Sequence, residues 1–212
     1  MTESKFTKMI QVFGFGGAGA NTIKYVQSNL GDSLEYVGID TDNELAVDAR
    51  QLIHQGTKVL VLTAGMGGKT GTNGIISIAK AGKERNILTV AVVTMPFDYE
   101  KEAIKEASAE GIKELRKYAD TLLTISNNKL RELYHDLPFQ EAFAKCDDVL
   151  LNIAKSVSEL LSADTDGTVR HDIETFFRKG ELAPENKVEE TLRSAIASGN
   201  LLYDDLSENR FL

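Results

Sequence analysis

Two glycine-rich segments contain the residues whose types and spacing could bind phosphate. The first, Gly14–Asn21 (GFGGAGAN), follows an apolar run and satisfies the pattern G-x-G-x-x-G. Glycine permits positive φ and lets a phosphate reach the backbone, and a helix that starts there adds free N–H groups and the positive end of its dipole. Asp40 follows about twenty residues after the loop, where a dinucleotide-binding domain places its ribose acid. A tight structural turn is the alternative interpretation of this segment.

The second segment, Thr63–Asn73 (TAGMGGKTGTN), also lies between an apolar run and a predicted helix. Its Gly68-Lys69-Thr70 resembles the end of a P-loop, although Thr63 stands where that motif has its first glycine. A dinucleotide enzyme requires only the first segment and a P-loop enzyme only the second. Two such loops in one domain predict a polyphosphate site with backbone N–H donors.

The elements that must position these loops alternate between strand and helix. The pattern predicts strands over Met9–Phe13, Leu34–Ile39, Lys58–Thr63, Leu88–Val93 and Thr121–Ile125. It predicts the intervening helices over Ala18–Leu30, Glu44–Ile53, Ile75–Arg85 and Glu100–Tyr118. This alternation is typical of an α/β fold, a Rossmann-like parallel sheet with helices on both faces.

The C-terminal half is predicted to be helical. Pro138 suits a first helical position, and apolar residues from Phe139 to Leu161 at spacings of three and four predict a long central helix. A loop over Ala163–Val169, helices over Asp172–Lys179 and Lys187–Ser198, and a tail over Tyr203–Leu212 follow. We therefore expect a nucleotide-binding domain over residues 1–163 and a short helical extension over 164–212.

Composition narrows the classes of function. The formal net charge is -8, which argues against a protein that binds nucleic acid through its phosphates. Cys146 is the single cysteine, so an internal disulfide is excluded, and the three histidines have no metal-ligand spacing. Residues 1–10 lack the apolar run of a signal peptide, and no apolar stretch reaches membrane-spanning length. We expect a cytoplasmic protein without a protein-held metal or membrane insertion.

From Gly14 to about Asp147 the chain resembles the FtsZ/tubulin family, closer to bacterial FtsZ. GFGGAGAN is similar to the family's first phosphate loop, and VLVLTAGMGGKTGTN to its signature loop, usually written GGGTGTG. VVTMPFDYE resembles the segment of the ribose contacts, DTLLTISNNKL the strand and helix start before the central helix, and EAFAKCDDVLLNIAKSVSELL the central helix itself. The resemblance implies a site for GTP or GDP, which Mg2+ can accompany, and a homo-oligomer or an FtsZ-like partner.

The residues that the resemblance implies as phosphate contacts lie on the two loops. They are Gly16, Gly17, Ala18 and Asn21 on the first loop, which also approaches the guanine, and Gly67, Gly68, Lys69, Thr70, Gly71 and Thr72 on the second. Lys69 stands at a position where the family has glycine, so it either adds a charge-assisted phosphate contact or points to solvent. Asn73 occupies another glycine position of the signature.

The implied ribose and base contacts lie further along the chain. They are Thr94, Pro96 and Glu100 near the ribose, Asn127 and Asp147 at the guanine edge, and Phe143 stacked on the base. A carboxylate suits the adjacent N–H donors of guanine and an amide suits its oxygen acceptor. Each residue type has an alternative: Phe143 as core, Asp147 as a solvated helix charge, Asn127 as a helix cap, and Glu100 as a first-turn acid.

Departures from the family weaken the implied catalysis. The third glycine-rich loop, which approaches the γ-phosphate, is missing between Asp42 and Lys58, and Ile104 replaces an arginine that clamps the ribose. Asp172 matches one of two aspartates that act on the neighbouring subunit's nucleotide, Val169 falls at the other, and Asp166 is the candidate if the alignment slips. FFRKGELAPENKVEETLRSAIASG resembles the helices that flank the family's second domain, with the sheet between them removed. We expect weak or interface-dependent GTP hydrolysis, with Asp172 as the catalytic candidate.

Two other functions stay open at this point. A NAD-dependent oxidoreductase would account for Gly14–Gly19 and Asp40 but leaves the second loop unexplained. A nucleotide-free interaction module that keeps the fold would account for the altered hydrolysis region. The biological process, whether cell division, segregation or regulation of a larger relative, does not follow from the sequence.

Overall fold

A five-stranded parallel sheet forms the centre of the molecule, as predicted. The computed structural model describes residues 9–40, 48–179 and 186–199. The strands are β1 (Ile10–Phe15), β2 (Glu35–Ile39), β3 (Val59–Gly65), β4 (Leu88–Met95) and β5 (Thr121–Ser126). Their order is β2-β1-β3-β4-β5, and every neighbouring pair is parallel. The carboxyl ends of β1, β3 and β4 therefore lie side by side, and the glycine loops leave the sheet there.

Helices cover both faces of this sheet. They are α1 (Gly16–Leu30), α2 (Ala49–Leu52), α3 (Lys69–Glu84), α4 (Glu102–Leu115), α5 (Asn127–Leu133), α6 (Phe139–Ser162), α7 (Thr168–Lys179) and α8 (Lys187–Ala197). One apolar cluster joins the sheet to α1, α6, α7 and α8, and a second joins the opposite face to α2, α3 and α4. The Rossmann-like α/β prediction is confirmed.

The C-terminal helices α7 and α8 share the core of the sheet. Phe176 and Phe177 of α7 are fully buried in the same cluster as Leu123 of β5. Thr121 Oγ1 donates a hydrogen bond of 2.8 Å to the Phe177 carbonyl, and Arg178 lies 3.4 Å from the Asp120 carboxylate. The extension predicted over 164–212 thus packs against the sheet over its described residues.

Three helices begin earlier than predicted, two of them for the same reason. α1 begins at Gly16 rather than Ala18, α3 at Lys69 rather than Ile75, and α7 at Thr168 rather than Asp172. The first turns of α1 and α3 contain glycines, which sequence patterns assign to loops. Before α7, Asp166 Oδ1 accepts the Thr168 N–H at 2.9 Å, so the predicted loop ends at Gly167.

Other boundaries differ by a few residues. A helix is predicted over Glu44–Ile53, of which residues 44–47 lie outside the described residues. Within the described part, α2 covers Ala49–Leu52 and is capped by Asp48. The predicted tail Tyr203–Leu212 also lies outside them. Pro138 is the residue before the first helical position of α6 rather than that position itself.

A buried glutamine in β1 holds the segment after α2 against the sheet. Gln11 is fully buried, and its Nε2 donates to the Leu52 carbonyl at 3.1 Å. Its Oε1 accepts the His54 N–H at 2.9 Å and the Thr57 hydroxyl at 2.6 Å. Three hydrogen bonds satisfy this one buried amide, so the apolar pattern of β1 tolerates a polar residue at this position.

Replacing this glutamine is expected to destabilise the fold. Gln11→Leu leaves the Leu52 carbonyl, the His54 N–H and the buried Thr57 hydroxyl without this hydrogen-bond partner, which costs about 1 to 3 kcal/mol of the free energy of unfolding. Chemical denaturation monitored by circular dichroism measures this loss. Thr57→Val removes one of the three bonds and serves as the graded control, with a loss of about 1 kcal/mol. Equal stability of Gln11→Leu and the parent would contradict a tethering role.

Within the described ranges, no helix combines the length and apolarity that crossing a membrane requires. The same part of the chain contains no group of three His, Cys, Asp or Glu side chains placed to hold a metal ion.

Candidate functional site

The two glycine loops lie in direct contact at the carboxyl edge of the sheet. A Cβ built on Gly16 would lie 3.3 Å from the Gly71 nitrogen. A Cβ built on Gly71 would lie 2.7 Å from the Gly65 carbonyl oxygen and 3.4 Å from that of Phe15, the last residues of β3 and β1. A side chain at position 71 would therefore separate the helix start from the strand ends. The loops form one continuous backbone surface.

The second loop has a fixed internal conformation. Gly67 has φ +101, in the region that favours glycine, and a Cβ there would lie 2.7 Å from both the carbonyl oxygen and Cγ2 of Ile104. The Gly67 N–H donates to Thr72 Oγ1 at 2.9 Å, so this backbone donor is used inside the loop. Ile104, the residue at the family's arginine position, thus packs on the loop. α3 begins directly after this loop, at Lys69.

A cleft of about 280 Å³ opens beside the first loop and runs toward α6. Its walls combine residues from α1, the ends of β3 and β4, and the first two turns of α6. The lining residues are Ala18, Gly19, Asn21, Thr22, Thr63, Ala64, Gly65, Thr94, Phe139, Gln140, Phe143, Cys146 and Asp147. A cleft that joins backbone glycines to an aromatic ring and a carboxylate can hold phosphate at one end and a base at the other.

Asp147 places a half-buried carboxylate in this cleft. Its Oδ1 accepts the Thr22 hydroxyl at 2.6 Å. Burial raises the pKa of Asp147 from 3.8 to about 6, the Thr22 hydrogen bond opposes that shift, and the negative charge of Asp148 adds to it. A carboxylate with few donors of its own is suited to accept hydrogen bonds from a ligand.

Phe143 stands on the cleft wall and also belongs to a group of aromatic rings. Its centroid lies 4.6 Å from that of Phe139 and 6.4 Å from that of Phe97. Phe143 is half-buried and packs against the core, so both of its predicted roles, core residue and stacking surface, are compatible with its position.

Cys146 lies one helical turn after Phe143 on α6, on the same wall of the cleft. It is buried, and burial raises the pKa of its thiol to about 12.

The segment after β4 is held by side chains at both ends. The Phe97 N–H donates to Glu100 Oε1 at 2.9 Å, and the Asp98 N–H donates to Asn128 Oδ1 at 3.1 Å. Glu100 precedes α4, which begins at Glu102, so it is not the first-turn acid of that helix. Its described contact closes the turn between Phe97 and Glu100.

Asn127 is buried at the start of α5, yet the cap of that helix is Ser126, whose Oγ accepts the Lys129 N–H at 3.3 Å. The alternative interpretation of Asn127, as the cap of this helix, is therefore wrong, and its contact with the guanine edge stays a prediction. Its Oδ1 is buried and has no hydrogen-bond partner within the described part of the chain. A buried amide oxygen without a partner requires a hydrogen-bond donor from another group.

Asp172 lies in the first half of α7, where it contacts α8. Asn186 Nδ2 donates to Asp172 Oδ2 at 2.9 Å, and Asn186 Oδ1 accepts the Val188 N–H at 2.8 Å as the cap of α8. Asp164 accepts the N–H groups of Gly167 and Arg170. The acidic residues of this region thus have visible roles in joining and capping helices.

The predicted site residues fall into three groups in the structure. Ala18, Asn21, Thr94, Phe143 and Asp147 line the cleft. The others do not line it and lie on the two glycine loops or on the turns that follow β4 and β5: Gly16, Gly17, Gly67, Gly68, Lys69, Thr70, Gly71, Thr72, Pro96, Glu100 and Asn127. Asp172 is on α7, a helix that contributes no residue to the lining of the cleft.

Sequence reasoning missed several cleft residues, notably Thr22, Phe139, Gln140 and Cys146. Phe139 precedes Phe143 by four residues on the same helix, a spacing that places both rings on one face and could have revealed it. Thr22 follows Asn21 directly, but its hydrogen bond to Asp147 joins residues 125 positions apart, and no local pattern indicates such a pair.

Known proteins of similar sequence and structure identify the family of this chain. The family model for the GTPase domain of the Tubulin/FtsZ family matches residues 43–135. The cell division protein FtsZ of Porphyromonas gingivalis is 30% identical over an alignment that covers 99% of this chain and 56% of the relative. The chain belongs to the tubulin/FtsZ family.

Further tubulin/FtsZ relatives agree with this assignment. FtsZ of Coxiella burnetii is 32% identical, with 89% of this chain and 61% of the relative covered. The structure described as an empty FtsZ dimer from M. jannaschii superimposes with a TM-score of 0.66 at 26% identity, covering 91% of this chain and 69% of that one. This chain spans about three fifths of the length of these two curated relatives.

Proposed function

We propose that this chain binds GTP or GDP in the cleft, with phosphates on the two glycine loops and guanine against Phe143 and Asp147. The observation that supports this most is the convergence of two glycine loops beside a cleft whose far wall holds a carboxylate. Guanine presents adjacent N–H donors at one edge, and a carboxylate is the acceptor that they require. Membership in the tubulin/FtsZ family, whose matched model is a GTPase domain, supports the same choice.

Mg2+ in this proposal would be held mainly by the nucleotide. The described residues offer no cluster of carboxylates or histidines for it. Mg2+ keeps several waters and is commonly bound through substrate phosphates, so the residues present are compatible with it. Its contribution would be to neutralise phosphate charge.

Isothermal titration with GTP, GDP, ATP and NAD tests the proposal. We expect measurable binding of the two guanine nucleotides and binding of ATP at least about tenfold weaker, because the base edge is read by hydrogen bonds. Tighter binding of NAD would instead favour the alternative of a NAD-dependent oxidoreductase, which is based on Gly14–Gly19 and Asp40. Binding of none of the four would favour the nucleotide-free interaction module.

The affinity for GTP is expected to fall in acid. The carboxylate form of Asp147 accepts the guanine N–H groups in this proposal, and the pKa of Asp147 in the folded chain is about 6. Affinity should be constant above about pH 7 and decrease by up to about tenfold per pH unit below the pKa. Titrations from pH 5 to 8 measure this. Asp147→Asn is the control, and an unchanged slope in that variant would assign the pH dependence to another group.

We also propose that this chain hydrolyses GTP slowly, in a reaction that depends on contact between subunits. Asp172 is the candidate from sequence, and its hydrogen bond to Asn186 supplies a competing structural role. The substitution Asp172→Asn separates the two, because an amide oxygen still accepts from Asn186 while the carboxylate charge is lost. A catalytic Asp172 predicts a loss of turnover of at least about tenfold in this variant with unchanged stability.

Phosphate release measured across protein concentrations gives that turnover. Asp172→Ala, which removes both the charge and the acceptor, should in addition lower the free energy of unfolding by about 1 to 2 kcal/mol. Turnover in Asp172→Asn equal to that of the parent would reject the catalytic role and leave the structural one.

A further inference from the structure

A buried threonine on α1 reaches across the cleft wall to the carboxylate on α6. Thr22 lies in the second turn of α1, lines the cleft and is buried. Its Oγ1 stands 2.6 Å from Asp147 Oδ1 and 3.2 Å from the Ala18 carbonyl oxygen, one turn earlier on the same helix. A hydroxyl has one proton to donate, so the two acceptors compete for it.

The distances assign this proton to Asp147. Hydrogen bonds from a hydroxyl to an ionised carboxylate are about 2.5 to 2.7 Å long and are roughly twice as strong as neutral ones. The Thr22–Asp147 contact of 2.6 Å has that length, whereas the 3.2 Å to the Ala18 carbonyl exceeds the usual range for a hydroxyl donor. The common role of a helical threonine hydroxyl, a bond to the carbonyl four residues earlier, is therefore secondary here.

The carboxylate of Asp147 requires an external group to fix its orientation. The terminal torsion of an aspartate side chain is broad, so the carboxylate plane turns easily about its last bond. Guanine presents two adjacent N–H donors, and both carboxylate oxygens accept them together only when the plane of the carboxylate matches that of the base. The bond from Thr22 restricts this rotation, and Oδ1 retains a second lone pair for the ligand.

We propose, as an extension that rests on the proposed function, that Thr22 is a positioning residue that makes the cleft specific for a purine with two adjacent N–H donors. Its hydroxyl holds Oδ1 of Asp147, so both carboxylate oxygens meet the base edge at once. A purine with a single N–H at that edge, as in inosine triphosphate (ITP), forms only half of the contact.

The ionisable groups that face Asp147 show how Thr22 also affects its charge. Burial raises the pKa of Cys146 on α6 to about 12, and the hydrogen bond to Asp148 raises that of Tyr25 on α1 to about 12, so both stay neutral near pH 7. Burial raises the pKa of Asp147 to about 6, Asp148 adds to this shift, and the Thr22 hydrogen bond opposes it. Loss of the hydroxyl should therefore raise the pKa of Asp147 further.

Isothermal titration of Thr22→Val with GTP and ITP at pH 8 tests the proposal. The parent should bind GTP at least about tenfold more tightly than ITP, because ITP lacks one hydrogen bond to a charged acceptor. In Thr22→Val, which keeps the branched shape without the hydroxyl, this ratio should fall below about threefold. General damage to the fold would weaken both nucleotides alike and leave the ratio unchanged.

Two further variants serve as controls. Thr22→Ser keeps the hydroxyl and should retain the parent's ratio of GTP to ITP affinity. Tyr25→Phe removes the corresponding hydroxyl from the adjacent Asp148, which it contacts at 2.6 Å outside the cleft lining, and should also retain it.

A carbon NMR titration of the Asp147 carboxyl group without nucleotide gives a readout that does not depend on the proposed function. The pKa of Asp147 should be higher in Thr22→Val than in the parent and should stay near the parent's value in Thr22→Ser. An unchanged pKa in Thr22→Val would overturn the direct role of the hydroxyl.

The titrations with nucleotide separate this inference from the function on which it rests. A parent chain that binds GTP, together with an unchanged ratio in Thr22→Val, would overturn the role of Thr22 and leave the proposed function intact. Equal affinity of the parent for GTP and ITP would do the same. A parent chain that binds neither nucleotide would overturn the proposed function and the specificity role together.

Discussion

The substitution Gly71→Ala is expected to abolish tight nucleotide binding. The added methyl group would stand 2.7 Å from the Gly65 carbonyl oxygen, and neither β3 nor the helix start can yield without breaking the contact between the two loops. Each backbone hydrogen bond to phosphate that is lost costs about 1.5 to 3 kcal/mol, so affinity for GTP should fall at least tenfold. Titration calorimetry of the purified variant measures this.

The fold should also lose stability in this variant. Overpacking of this kind typically costs about 1 to 3 kcal/mol, whereas an unobstructed Gly to Ala change inside a helix would stabilise it by about 1 kcal/mol. Gly68→Ala is the matched control three residues earlier, because a Cβ at that position meets nothing within 4 Å. We expect Gly68→Ala to change affinity by less than about threefold. Equal affinity of both variants would show that the two loops do not act on one ligand.

The substitution Asp147→Asn is expected to change stability and affinity in opposite directions. GTP affinity should fall by about tenfold to a hundredfold, because an amide presents an N–H group where guanine requires an acceptor. ATP affinity should be unchanged. Asp148→Asn alters the adjacent residue, which accepts the Tyr25 hydroxyl at 2.6 Å and does not line the cleft, and it should leave GTP affinity unchanged.

The gain in stability follows from the raised pKa of Asp147. A carboxyl whose pKa is higher in the folded protein than in the unfolded chain destabilises the fold once it is ionised. The loss of stability therefore develops as pH rises from about 4 to about 6 and persists above. Asp147→Asn removes it and should add about 1 to 2 kcal/mol at pH 8 when no nucleotide is bound. Thermal unfolding at pH 4 and pH 8 measures the effect, and a destabilised variant at pH 8 would contradict it.

Much of the fold could be predicted because its signals are local. Apolar runs that end in glycine indicate buried strands followed by phosphate loops, and β1 and β3 end in this way. The starts of α1 and α3 are harder to predict, because glycine lowers helix propensity. In the structure, close backbone packing holds Gly16 and Gly71 in these helices.

The environment of each site residue could be predicted less well, because it depends on distant contacts. The pKa of Asp147 follows from burial against α1 and from Thr22, which no spacing in the sequence indicates. The partner of Asp172 is Asn186 on the next helix, and sequence reasoning considered only its match to a family position. Gln11 was placed in an apolar strand by pattern, while its three hydrogen bonds come from a segment more than forty residues away.

Cys146 has a practical consequence for labelling experiments. With a thiol pKa of about 12, only about one molecule in ten thousand carries the reactive thiolate at pH 8. Maleimide dyes and spin labels should therefore react with a cysteine introduced on the surface and leave Cys146 untouched. Because Cys146 also lines the cleft, any slow reaction that it does show should be blocked by a bound nucleotide. The rate of that slow reaction would then report ligand occupancy without an introduced cysteine.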